Sequence, residues 1–382
     1  MTIPAPQHPN RVDWPGRVDW PTRVDWVDHA KGISILLVVM MHSVLGVEAA
    51  MGVPGWLHPV VEFCRPFRMP AFFLISGLFL ARTIDAPWGR YIDRKVVHFA
   101  YFYVLWLTIQ FAFKGPGIAM EEGAGAALGA YLTAFLQPFG TLWFIYILPV
   151  FFLFTRLVKG LPVWLVLAWA AIMEIMPIAT GSVIFDEFAA RYVYFFAGYA
   201  LAARVFAFEG WTARNGALTA GALCVWALVN VALAFGIAPA ALAGYAQAFT
   251  WEDKAAKWAD LPGISLLAGS IGTLAVIAIS GLLARVSWSN GLRWIGAHSI
   301  VIYLAFFLPM AIARVILIRL GIITDVGTIS LLVWIAAVSG PIVFYMIVQW
   351  TGLGRFLFER PAWAKLSNEG GRQKADRMVP GE

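Results

Sequence analysis

The 382-residue sequence reads as an all-α protein, a polytopic integral membrane helix bundle of about ten transmembrane helices. Three observations carry that expectation. Hydrophobic residues make up 60% of the chain and charged residues 13%, with a mean hydropathy of +0.75, whereas soluble domains carry about 25% charge. The apolar residues fall in runs close to the ~20 that a helix needs to cross a bilayer. The 18 Trp, 11 Tyr and 28 Phe gather near the ends of many of those runs, as an interfacial aromatic belt does.

The elements follow in order. Residues 1–30 read as a disordered cytoplasmic tail. RVDW recurs there from Arg11, Arg17 and Arg23. A period of six suits neither helix nor strand, and Pro15 and Pro21 interrupt any continuous helix. The tail carries Asp residues and no early apolar core, so it does not read as a signal peptide. Candidate spans then cover 33–50, 67–82, 96–113, 141–157, 162–179, 191–207, 215–236, 263–284, 297–320 and 327–350. The shorter apolar pieces 124–137 and 237–249 read as interfacial or re-entrant. Residues 31–355 thus form one membrane domain, and 356–382 a cytoplasmic C-terminal tail.

Charge orients this arrangement. In a ten-span chain the two tails share one side with the loops after the even-numbered spans, and together with the span ends on that side these carry 20 of the 28 Lys and Arg. Asp and Glu divide evenly. The positive-inside bias therefore places both termini in the cytoplasm, with the protein integral to the cell membrane. The two cysteines, Cys64 and Cys224, are too few for a disulfide framework or a Cys-rich metal site, and no metal is expected. The net charge of +6 comes without a basic run interleaved with aromatics, so nucleic acid is not an expected partner. The lipid bilayer is.

Chemistry-bearing residues are few enough to weigh singly. His42 lies in the first apolar run, eleven positions after Lys31. Eleven helical residues advance three turns plus about 20°, so the two share a face about 16 Å apart along the axis. An ionisable side chain in a spanning helix is costly and usually faces a polar cavity or the bundle interior. A hydrogen-bonded packing histidine with a Lys anchor is the plainer reading. In FRMPAFFLISGLFLAR, Arg68 poses the same problem as His42, and Ser76–Gly77 allows close approach of a backbone or a ligand. In GRYIDRKVVHFAYFY, Arg90, Arg94, Lys95 and His98 gather at the mouth of the third span. Such cations either hold phosphates or serve as positive-inside anchors.

Together these stretches resemble the membrane acyltransferase-3 family, which includes O-antigen, fucose and glucan O-acyltransferases. The resemblance covers nearly the whole chain. Lys31 and His42 match a first-helix basic residue, usually Arg, that precedes a His. MPAFFLISG at Met69–Gly77 matches the second span, Arg94–Lys95 the basic pair before the third, and TLWFIYIL at Thr141–Leu148 the opening of the fourth. IGAHSIVIYL at Ile295–Leu304 is similar to the family's late G-x-x-S-x-x-I-Y-L segment. Two departures stand out. Lys31 replaces Arg and loses its bidentate fork, and Phe306 stands where a late His often falls.

The resemblance implies transfer of an acyl group, usually acetyl, from acyl-CoA to a hydroxyl of a carbohydrate or glycan. His42 and Lys31 become the candidate catalytic pair. Arg94, Lys95, His98, Arg68 and Ser76 become candidate donor-binding residues, with Lys31 also able to meet CoA phosphates. His42 would act as general base or as transient acyl carrier, and Arg68 or Ser76 would polarise the thioester or orient the imidazole. The competing reading is a multi-span transporter or flippase, which would favour an internal repeat between halves; none is visible. The His-x₄-Asp pattern of another acyltransferase class occurs at His8 and Asp13, in the tail, as a chance match.

Overall fold

The computed structural model describes residues 24–138, 140–245 and 255–366. The RVDW copies before Val24, part of the 237–249 piece and the tail beyond Leu366 lie outside the described residues. The helices are α1 Asp25–Met51, α2 His58–Gly77, α3 Trp88–Ile92, α4 His98–Glu122, α5 Ala124–Thr133, α6 Trp143–Val158, α7 Val163–Ile175 and α8 Val183–Ala200. They continue with α9 Ala202–Arg214, α10 Gly216–Phe235, α11 Ala240–Ala243, α12 Ile264–Leu283, α13 Asn290–Ala297, α14 Ser299–Ala305, α15 Phe307–Leu320 and α16 Val326–Thr351. A π-helical turn, Asp93–Val97, joins α3 to α4. No strand occurs among the described residues; Ile237 and Lys257 form one isolated bridge.

The protein is an all-α, polytopic membrane helix bundle. Among the described residues, seven helical stretches are long and apolar enough to cross a membrane, or eight if the bent pair α14–α15 counts as one, fewer than the ten expected from apolar runs. The difference has local causes. The run at 162–179 yields only the 13 residues of α7. The run at 191–207 is cut at Leu201 between α8 and α9, and α8 carries Asp186, Glu187 and Arg191 within its 18 residues. The 124–137 piece forms the short helix α5.

Two compact units divide the chain. The first comprises residues 1–81 and 157–340, the second 82–156 and 341–382. In the first, α1 packs on α2, α12, α13 and α14, and α2 on α8, α10 and α12. Ile35, Val39, Val44 and Val47 of α1 are fully buried. Small residues permit the close crossings, as between helices in lipid, where packing has no apolar contrast to drive it. A Cβ on Gly77 would overlap the Phe195 carbonyl, and one on Gly198 the Leu74 carbonyl. Gly296 of α13 sits equally close to the Asp28 carbonyl of α1. Gly77 thus serves a backbone–backbone approach.

In the second unit, the 355–366 segment packs on α4 and the π turn. Tyr101 Oη donates to Phe356 O at 2.9 Å and Trp106 Nε1 to Leu357 O at 3.0 Å. Arg360 Nη2 pairs with Asp93 Oδ2 at 2.6 Å, and Leu366 N donates to Asp93 Oδ1 at 2.7 Å. Gln349 of α16 donates to Glu359 at 3.1 Å.

Candidate active site

The first unit holds His42 and Arg68. α1 forms because its apolar residues run nearly unbroken from Ile33 to Val47, and Gly52 closes it in the left-handed conformation with φ 75°. His42 is half-buried on this helix. Its ring lies 5.5 Å from that of Phe306, tilted by 35°, and Phe306 is fully buried. Among the described residues neither ring nitrogen of His42 has a hydrogen-bond partner. His29, by contrast, is tied at Nδ1 to Asp25 O at 2.8 Å and at Nε2 to Ser289 Oγ at 2.9 Å. His58 bridges Glu48 at 2.8 Å and Glu62 at 3.8 Å. These two are structural ties, and neither was singled out from the sequence.

Phe306 is also where the chain bends. α14 and α15 meet there at 53°. The cause is Pro309, which has no N–H to offer the Ala305 carbonyl four residues earlier and breaks the helix at that point. The 297–320 run read as one straight span from composition. Pro309 was the signal that could have located the break. Phe306 therefore contacts the imidazole of α1.

Arg68 is 8% exposed, and its Nε and Nη1 have no hydrogen-bond partner. Its charge acts directly on the His42 imidazole and on Cys64, and Arg191 and Glu62 are among its electrostatic neighbours. A buried guanidinium with unfilled donors is costly, since each missing bond forfeits the solvation it had in water. Donors in that state are available to an oxygen that arrives with negative charge.

The other expected residues fall less centrally. Lys31 Nζ is 3.3 Å from Asp28 Oδ1 one turn earlier on α1, so its charge has a partner in the buried Asp28. Ser76 Oγ donates to Phe72 O at 2.8 Å within α2, spending its hydroxyl hydrogen inside its own helix. A buried pair lies on α7 and α8, where Tyr194 Oη donates to Glu174 Oε1 at 3.3 Å.

Arg94, Lys95 and His98 belong to the second unit. Arg94 is exposed on the π turn. Lys95 Nζ lies 4.6 Å from the centre of the Phe152 ring, a cation–π contact. The His98 ring packs edge-on against Phe99 and Phe102 at 5.4 and 5.0 Å. π turns inside α-helices are frequent at functional positions, and here the turn carries both Arg94 and Lys95.

Fold and site together define a polytopic membrane helix bundle in which one unit holds both an imidazole without a hydrogen-bond partner and, within electrostatic range of it, a guanidinium with open donors. The chain belongs to the acyltransferase-3 family, whose acyltransferase domain it matches over residues 24–350. It is 29% identical over 160 residues to the inner membrane protein YcfT of Escherichia coli, covering 35% of this chain and 44% of that protein. It is likewise 29% identical over 160 residues to the nodulation protein NolL of Sinorhizobium fredii, covering 41% of this chain and 43% of that protein. The chain thus spans less than half the length of the curated relatives it matches. No solved structure matches it.

Proposed function

We propose that this protein is a membrane O-acyltransferase that moves an acyl group, acetyl in the simplest case, from acyl-CoA to a hydroxyl of a carbohydrate or glycan. Family membership supports the reaction class. The observation that carries the reading is that the same unit holds His42, whose ring nitrogens are unengaged, and, within electrostatic range of it, Arg68, whose Nε and Nη1 lack acceptors. One group takes a proton; the other meets an oxyanion. The inner membrane is the proposed location, following the name of the E. coli relative and the positive-inside bias, with both termini cytoplasmic.

In this reading the His42 imidazole removes the proton from the acceptor hydroxyl as its oxygen attacks the thioester carbonyl carbon. The carbonyl oxygen becomes an oxyanion, and the Arg68 donors stabilise it more than they stabilise the neutral carbonyl. Collapse forms the ester and expels the CoA thiolate, which takes the proton back from the imidazolium. Phe306 fixes the ring from one side and keeps water off it. Lys31 meets the anionic phosphates of the donor; Arg94 and Lys95, taken by themselves on the second unit, are proposed as phosphate-contacting cations. His98 and Ser76 are assigned lesser, orienting roles toward it.

The test is the protein purified in detergent, given labelled acetyl-CoA and extracted cell glycans, with mass spectrometry for an ester-modified sugar. His42→Ala lowers kcat by about 10²–10⁴-fold if the imidazole is a general base, with the protein still folded by its tryptophan emission. Turnover at the wild-type rate in His42→Ala refutes the assignment. Lys31→Ala chiefly raises KM for acetyl-CoA; an unchanged KM removes Lys31 from the donor site.

A further inference from the structure

The basic residues of the second unit include two that sequence reading passed over as topology signals. Arg156, near the end of α6, is 7% exposed. Its guanidinium carbon lies 4.0 Å from the Trp88 ring centre and 4.4 Å from that of Tyr91. Its Nη2 donates to Ala86 O at 2.7 Å, while Nη1 is buried with no acceptor. Arg360, in the C-terminal segment, has a side chain 6% exposed. Its Nη1 and Nη2 reach Asp93 O and Oδ2 at 2.8 and 2.6 Å, and its Nε is buried with no acceptor.

Cations that merely anchor a membrane protein extend their charged heads into water. These two do the reverse: they withdraw the head and leave an N–H unfilled. Both rest on one short stretch, Trp88–His98, which also carries Arg94, Lys95 and His98. Lys95 contacts Phe152, one turn before Arg156 on α6. The Arg360 charge acts on His98, and the Lys365 charge on Asp93. The Asp93 carboxylate is already taken by Arg360 and by the Leu366 N–H. Positive charge therefore exceeds negative charge among these residues, and two buried N–H groups, Arg156 Nη1 and Arg360 Nε, lack acceptors.

We propose that the 355–366 segment and the end of α6 complete an anion site on the Trp88–His98 stretch, and that the site takes a phosphate ester through Arg156, Arg360, Lys95 and Lys365. The oxygens of a phosphate supply the missing acceptors, and guanidinium matches them in geometry as well as charge. Such a phosphate comes either from the nucleotide end of coenzyme A or from an anionic lipid headgroup. Naming the donor as the ligand rests on the acyl-CoA reading above; the site itself does not.

The experiment uses the full-length protein in two arms. In neutral detergent, coenzyme A is titrated by calorimetry into wild type, Arg156→Gln and Lys365→Ala. In nanodiscs, the melting temperature is compared with and without phosphatidylglycerol. A donor site shows coenzyme A affinity reduced about tenfold or more in Arg156→Gln, and a smaller reduction in Lys365→Ala, which is exposed and folds without it. A lipid site shows phosphatidylglycerol raising the melting temperature of wild type by more than that of either variant. The proposal is overturned if neither probe binds wild type, or if both variants respond as wild type does. Coenzyme A binding without acyl transfer would sink the proposed activity and leave this site standing. Acyl transfer with unchanged coenzyme A affinity and unchanged lipid response in the variants would do the opposite.

Discussion

Replacing Arg68 by Met should make the protein more stable and less active at once. Arg68 is 8% exposed, with Nε and Nη1 lacking partners. Each buried donor left unfilled costs about 1–3 kcal/mol, so the two together penalise the resting fold by roughly 2–6 kcal/mol. Met keeps the length of the side chain, carries no polar hydrogen and adapts to an irregular site. Part of the relief is lost to imperfect refilling of the guanidinium volume. A net gain of about 1–4 kcal/mol matches what replacing buried charges by apolar side chains achieves elsewhere. At roughly 2 °C per kcal/mol for a chain of this size, the unfolding midpoint rises by several degrees, read from tryptophan emission in detergent. The same change removes the oxyanion donors and lowers kcat by about 10²–10³-fold. Arg68→Lys, which keeps the charge but not the fork, retains an intermediate rate. A midpoint below that of wild type would mean that structural contacts already satisfy the guanidinium. A rate within twofold of wild type would mean that it has no part in the chemistry. Either result refutes the reasoning.

Two further outcomes follow from the packing. Gly296→Ala forces a methyl group against the Asp28 carbonyl at the α1–α13 crossing and costs about 1–3 kcal/mol by overpacking; Gly221→Ala, inside α10 where nothing lies within 4 Å, does not lower the unfolding midpoint and raises it slightly, and serves as control. Asp325, just before α16, accepts from Thr328 N at 2.7 Å and from Trp56 Nε1 at 3.1 Å, and bonds from Thr328 hold its carboxyl below the usual carboxylate range. Because the folded value lies below the unfolded one, this contribution is complete above the unfolded carboxylate pKa of about 3.9 and fades as pH falls through the folded value. A pH series of Trp56 emission should therefore change in that acidic window in wild type, and be flat there in Asp325→Asn.

The two transmembrane runs that carry the site were legible because the relevant quantity is local. The free energy of moving a segment into lipid is close to a sum over its residues, so the run from Ile33 to Val47 identifies α1 without reference to any neighbour. His42 could be singled out for the same reason: an ionisable group in such a run is costly wherever the rest of the chain goes. Family motifs added the reaction class. Where counting apolar residues misled, the cause was also local but of another kind. Pro309 bends 297–320, and the charges on α8 with the break at Leu201 divide 183–214, features that a hydropathy sum does not weigh.

What the amino-acid order settled by itself was an all-helical membrane protein with an imidazole in its first span and cations before its third. Only the folded chain decided that Phe306, 264 positions away, lies against that imidazole, that Arg68 keeps two donors unfilled, and that Arg360 returns to Asp93 from the far end of the sequence. These are properties of which surfaces meet, and meeting is governed by shape complementarity among small residues such as Gly77, Gly198 and Gly296, which no one segment encodes alone.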